Sequence, residues 1–123
     1  MIFDFFMSIY QEIILEHYRN PQNHGHIENP TKSVTVNNPL CGDILTMEVL
    51  VDGDMVRDIK FDGEGCAISI ASASLLTEKV KQHTWSEAQE FTPDTVKELL
   101  GIELSPNRLK CALLPLEALK KLL

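Results

Sequence analysis

The sequence predicts an α+β domain in which one helix leads into a three-stranded antiparallel sheet and further helices follow, two packed layers in a single unit. Three observations carry this reading. Apolar residues before Asn20 recur at helical spacing. From Ser33 to Phe61 the apolar positions alternate with a period of two around an Asp52-Gly53-Asp54 turn. Beyond Gly65 the period becomes helical again. A chain of 123 residues is long enough to bury one core without disulfide staples, and no repeat or linker divides it.

The elements follow in order. Met1-Ile2-Phe3-Asp4-Phe5-Phe6-Met7 is apolar, carries an acid and lacks a basic flank, so it is a poor secretory signal and too short to span a membrane. It reads as a mobile arm of residues 1–7 ahead of a domain of residues 8–123, with Met7 as an alternative start. Residues 8–19 place Ile9, Tyr10, Ile13, Ile14, Leu15 and Tyr18 on a helical stripe that Asn20-Pro21 stops. After a loop over 22–30, Ser33-Val34-Thr35-Val36 alternates as a short strand. Residues 43–51 form a second strand with Leu45, Met47, Val49 and Val51 on one face, and a third returns from Met55 to Phe61, with Met55, Ile59 and Phe61 sharing a face. Residues 67–82 carry Ile68, Ala71, Leu75 and Leu76 at helical spacing among small serines. Thr84-Trp85-Ser86-Glu87 is a capping box, Thr92-Pro93 starts a helix that Gly101 closes, and Ser105-Pro106 opens the last one. Pro115 is expected to kink or divide that final helix.

Composition excludes several roles. With a net charge of −7 and no basic run, the chain is unsuited to nucleic acid. No stretch has the roughly 18 uninterrupted apolar residues of a membrane span, so a cytoplasmic location without membrane attachment is expected. Thiols stay reduced there, and a cysteine cluster more often means metal or catalysis.

Three cysteines stand in unlike settings: Pro39-Leu40-Cys41-Gly42-Asp43, Gly63-Glu64-Gly65-Cys66-Ala67 and Arg108-Leu109-Lys110-Cys111-Ala112. A disulfide would strand one of them, and no C-x-x-C pair exists for thiol exchange. Three thiolates and a carboxylate make four ligands, enough for a tetrahedral metal or the edge of an iron–sulfur cluster. In an extended segment Cys41 and Asp43, two apart, point the same way. Cys66 falls at a helix start, where the macrodipole favours an anion, and its flanking glycines are read as backbone freedom for close approach to a metal. Arg108 and Lys110 bring cations beside Cys111 that would steady a thiolate or an anionic cluster. A hard oxygen is a weaker partner than thiolate for soft iron–sulfide chemistry, so a site with Asp43 as its fourth ligand suits temporary possession. The bland alternative is three buried, inert thiols.

Asn38-Pro39-Leu40-Cys41-Gly42-Asp43, Gly63-Glu64-Gly65-Cys66-Ala67-Ile68-Ser69 and Arg108-Leu109-Lys110-Cys111 resemble, in order, the three signatures of the iron–sulfur scaffold family, which comprises IscU, SufU and the N-terminal domain of NifU. The segment from Tyr10 to Gly25 resembles that family's first helix and loop, so the likeness runs from about residue 8 to the end. It implies the fold read above and a site of Cys41, Asp43, Cys66 and Cys111. It further implies that the protein receives sulfur from a cysteine desulfurase, builds a [2Fe-2S] cluster with iron and passes it to acceptor proteins. It implies a binding protein rather than an enzyme. Zinc can occupy the same ligands in this family, and an N-terminal tyrosine, here Tyr10, is associated with homo-oligomer contacts, with ordinary packing the favoured alternative.

The chain departs from each branch. IscU-type members usually carry histidine before the third cysteine, where Lys110 stands, and a Leu-Pro-Pro-Val-Lys docking motif where this chain reads Leu104-Ser105-Pro106-Asn107-Arg108. Arg108-Leu109-Lys110-Cys111 is similar to SufU, whose members act mainly as zinc-dependent sulfur acceptors, yet the spacer between Cys66 and Cys111 has no room for the insertion SufU carries. A SufU-like sulfurtransferase is therefore the alternative, and a closed structural zinc domain ranks last. Four histidines invite a separate metal reading, of which His24-Gly25-His26 is the close-set pair; a Cys–His hydrolase lacks any motif for its base and oxyanion hole.

Overall fold

The computed structural model describes the backbone of residues 2–39 and 42–122, and the side chains from Ile9 onward within those spans. Helix α1 covers Ile2–Arg19, so residues 2–7 carry helical backbone continuous with the rest. Of its expected stripe Ile14 is buried, whereas Ile9, Ile13, Leu15 and Tyr18 remain at least 36% exposed. The helix packs against α2.

Strands β1 (Lys32–Asn38), β2 (Asp43–Asp52) and β3 (Met55–Glu64) form the antiparallel sheet in the order β1-β2-β3. Both β1 and β3 run further than their alternation showed. Val36, Leu45, Met47, Val49, Ile59 and Phe61 turn inward and are buried. The register shifts where Leu50 pairs with Asp58 but Val51 pairs with Val56, passing over Arg57. One extra residue reverses which side chains face the core. Val56 therefore packs against the core, while Met55, expected to share the face of Ile59 and Phe61, is 59% exposed.

Four helices follow: α2 (Ala67–Lys81), α3 (Trp85–Gln89), α4 (Pro93–Leu100) and α5 (Pro106–Lys121). α2 lies on β3, α5 lies on β1 and β2, and the two helices pack on each other. Small residues make α2 the spine of this layer. Ser69, Ala71, Ser72, Ala73, Ser74, Leu76, Thr77 and Val80 are all buried, on more than one side, whereas Ile68 and Leu75 from the expected stripe are half-buried. Buried hydroxyls need partners, and these have them. Ser72 donates to the Ala112 carbonyl at 2.6 Å, Thr77 donates to that of Ala73 at 2.8 Å, and Ser74 Oγ accepts the Gln22 N–H at 2.8 Å.

The helix boundaries follow the capping signals. Thr84 and Glu87 form the reciprocal box, at 3.1 and 2.9 Å. Gly101 closes α4 in the left-handed region, at φ 69°. Pro115 neither divides nor ends α5, which runs unbroken through it. Proline has no N–H for the carbonyl four residues back, here that of Cys111. The Ser69 hydroxyl stands 3.3 Å from that carbonyl. Among the described residues no helix is long and apolar enough to cross a membrane.

Candidate metal centre

The end of the sheet, the start of α2 and the first turns of α5 meet at one place. Asp43 opens β2 and is buried, Cys66 is the exposed residue capping α2, and Cys111 is buried in α5. A carboxylate oxygen and the two Sγ atoms all lie within 4.8 Å of one another. They line a cavity of about 560 Å³ whose walls include Ile14 and Leu15 of α1, Ile68 of α2 and Ile102 after α4. A polar floor under apolar walls, reached past one exposed thiol, fits a soft cation or a small anionic cluster. Cys41, the remaining ligand expected from the sequence, lies outside the described residues.

Asp43 is gripped on both oxygens. Oδ1 accepts the Cys66 N–H at 3.2 Å and Oδ2 accepts the Ser69 hydroxyl at 2.5 Å. The Ser69 Oγ also stands 3.6 Å from Cys66 Sγ. One buried hydroxyl thus touches all three described members of the cluster. In the sequence Ser69 stands inside a motif with no role of its own. Its signal was available: three residues after Cys66, it shares that residue's side of the helix.

The two glycines before Cys66 also make room for their neighbours. Neither is among the residues with a left-handed φ. A Cβ on Gly65 would stand 3.1 Å from Asp43 Cγ and 3.2 Å from Ser69 Cβ, and one on Gly63 would stand 2.1 Å from the Ile44 carbonyl oxygen. They are required for space: the strand end and the carboxylate press against bare backbone.

The two cations separate. Arg108 lines the cavity with Cys66 and Cys111, while exposed Lys110 borders another hollow with Asn37, Pro39 and Glu117. Residues two apart on a helix point about 160° away from each other, so both could not face the thiols. The Tyr10 ring lies against Gly101, where a Cβ would be 2.2 Å away, so its contact within this chain is packing between α1 and the end of α4.

The histidines are occupied elsewhere. His17 Nδ1 meets Ser74 Oγ at 2.7 Å, and His83 Nδ1 bonds the Lys79 carbonyl at 2.8 Å. His24 Nε2 reaches Asp62 Oδ1 at 3.2 Å, while His26 bridges Glu48 at 3.2 Å and Asp62 Oδ2 at 3.0 Å. Hydrogen bonds to Glu48 and then Asp62 raise the His26 pKa above its ordinary value. Together with the backbone bonds Gly25 N–H to Phe61 O and Phe61 N–H to Asn23 O, both 2.9 Å, these contacts strap the loop after α1 along β3.

Residues 9–123 match the family described as the NifU-like N-terminal domain. The zinc-dependent sulfurtransferase SufU of Bacillus subtilis is 37% identical over 131 aligned positions, covering 93% of this chain and 88% of that protein. The iron–sulfur cluster assembly scaffold protein IscU 1 of Archaeoglobus fulgidus is 39% identical over 113 positions, covering 92% and 73%. A crystal structure described as a putative iron–sulfur cluster assembly scaffold protein for the SUF system of Fervidobacterium islandicum superposes with a TM-score of 0.80 at 34% identity, over 94% of this chain and 96% of that one.

Proposed function

The chain belongs to the family of NifU-like N-terminal domains, and on that footing we propose that it is a scaffold on which a [2Fe-2S] cluster is built from iron and desulfurase-supplied sulfur, then handed to acceptor proteins. The observation that carries this is the meeting of Asp43, Cys66 and Cys111 ligand atoms within 4.8 Å at the floor of an open cavity. Cys41 completes the ligand set in this reading. A closed structural zinc site is built from four cysteine or histidine ligands, and here a carboxylate, Asp43, stands in the set. The cluster is cargo, so the protein has no turnover of its own, and Arg108 at the cavity wall offsets the negative charge of thiolates and cargo.

A second reading, a SufU-like sulfur acceptor that holds zinc and takes sulfur on a cysteine, is supported by the identity to the Bacillus subtilis protein. The scaffold reading is preferred because the spacer between Cys66 and Cys111 is too short for the insertion expected of a SufU-like chain, and relatives named as scaffolds match at similar identity. Missing residues remove partner surface, while a cation beside a thiol serves either chemistry. The test is anaerobic incubation with iron, cysteine and a cysteine desulfurase, followed by absorption and Mössbauer spectroscopy. A [2Fe-2S] spectrum on this chain, suppressed by added zinc, is expected. Faster desulfurase turnover with zinc and no cluster on the protein would assign the sulfur-acceptor role instead.

A further inference from the structure

We propose that Ser69 is a counter-ligand: its hydroxyl competes with bound metal for the Asp43 carboxylate and so sets how fast the metal leaves. This rests on the reading that Asp43, Cys66 and Cys111 hold the metal, and it adds a residue and a direction to it.

Both Asp43 oxygens already have donors, the Cys66 N–H at 3.2 Å and the Ser69 hydroxyl at 2.5 Å. A metal that takes an oxygen must share or displace one of them. The N–H is fixed in the backbone at the start of α2. The hydroxyl rotates, and it has other acceptors within reach: Cys66 Sγ at 3.6 Å and the Cys111 carbonyl at 3.3 Å. Ser69 is therefore the donor that yields when metal binds and returns when Asp43 lets go. Asp43 is only 3% exposed, and a buried carboxylate without donors is costly, so the hydroxyl stabilises the metal-free form more than the loaded one.

The test uses zinc as the probe and the Ser69→Ala variant, which removes one oxygen from a buried helical site and leaves helix propensity intact. Zinc transfer to a chromophoric chelator under reducing conditions should slow about tenfold, in line with the loss of a hydrogen bond to a charged group. The melting temperature of the metal-free variant should fall more than that of the zinc-loaded one, so zinc raises it further than in the parent. Release that is unchanged or faster, or equal falls in both forms, would overturn the proposal and leave Ser69 a packing residue. In an Asp43→Asn background, where no carboxylate needs a donor, the effect of Ser69→Ala on zinc release should vanish; persistence of the tenfold change there also overturns it. Zinc release is measured without iron, sulfide or a desulfurase. Failed cluster assembly with slowed zinc release would therefore sink the scaffold function alone, and normal assembly with unaltered release would sink this inference alone.

Discussion

Replacing Gly63 with alanine should damage the fold and the site together. An added Cβ would stand 2.1 Å from the Ile44 carbonyl oxygen and 3.0 Å from Leu45 Cα, both backbone atoms that cannot rotate away. Relief requires β2 and β3 to part where Leu45 pairs with Gly63. Overpacking against movable side chains costs about 1–3 kcal/mol, so a clash with fixed backbone should reach about 3 kcal/mol or more. At about 4 °C per kcal/mol for a domain of this size, the melting temperature should fall by about 12 °C. Because Asp43 precedes Ile44, zinc affinity by chelator competition should fall too. Gly53→Ala is the control: its φ of 62° strains alanine by about 1 kcal/mol, but nothing lies within 4 Å, so it should melt about 4 °C lower with zinc binding intact. A Gly63→Ala protein that melts within about 2 °C of its parent would refute the packing argument.

Thr84→Ala removes one half of the reciprocal cap of α3 and should cost about 1 kcal/mol by calorimetry, without changing zinc binding. His26, held by Glu48 and Asp62, should titrate above its ordinary value of 6.5 in an NMR pH series. A pKa raised by folding means that its contribution is complete below the unfolded value and lost as pH rises through the folded one. Amide exchange over residues 23–27 should therefore quicken on the alkaline side of that midpoint beyond its ordinary base-catalysed rise; Glu48→Gln should bring the midpoint down, and a parent midpoint at or below 6.5 refutes the strap.

The sheet was legible because alternation and the Asp52-Gly53-Asp54 turn are local signals, each set by a few adjacent residues. The bulge that passes over Arg57 was not, since nothing in Val56-Arg57-Asp58 says that the partner strand will skip one residue. That single slip moved Met55 out of the core. Burial failed for a related reason: the stripe on α1 has the right period, but how much of it is covered depends on what packs there. Pro115 was expected to kink or divide α5, and the helix is not divided, because its course there is set by packing on β1, β2 and α2 rather than by the residues beside the proline. For the candidate site, residue types and spacing singled out Cys41, Asp43, Cys66 and Cys111, of which the last three meet among the described residues. The division of labour between Arg108 and Lys110, and the hub at Ser69, required knowing which way each helix is turned.

The small residues of α2 have an implication for how this chain can vary. A larger side chain at Ala71, Ser72 or Ala73 would push against neighbours from different directions at once, since α1, α4, α5 and β3 all rest on this one helix. The outward side of β1 is different: Ser33 and Thr35 are exposed, and new side chains there should cost little, whereas the same side of β3 lies under the loop that His26 ties to Glu48 and Asp62. Substitutions should therefore accumulate unevenly, sparse along α2 and dense on the outward side of β1. An engineer who wishes to attach a probe or a second module has Ser33 and Thr35 for it.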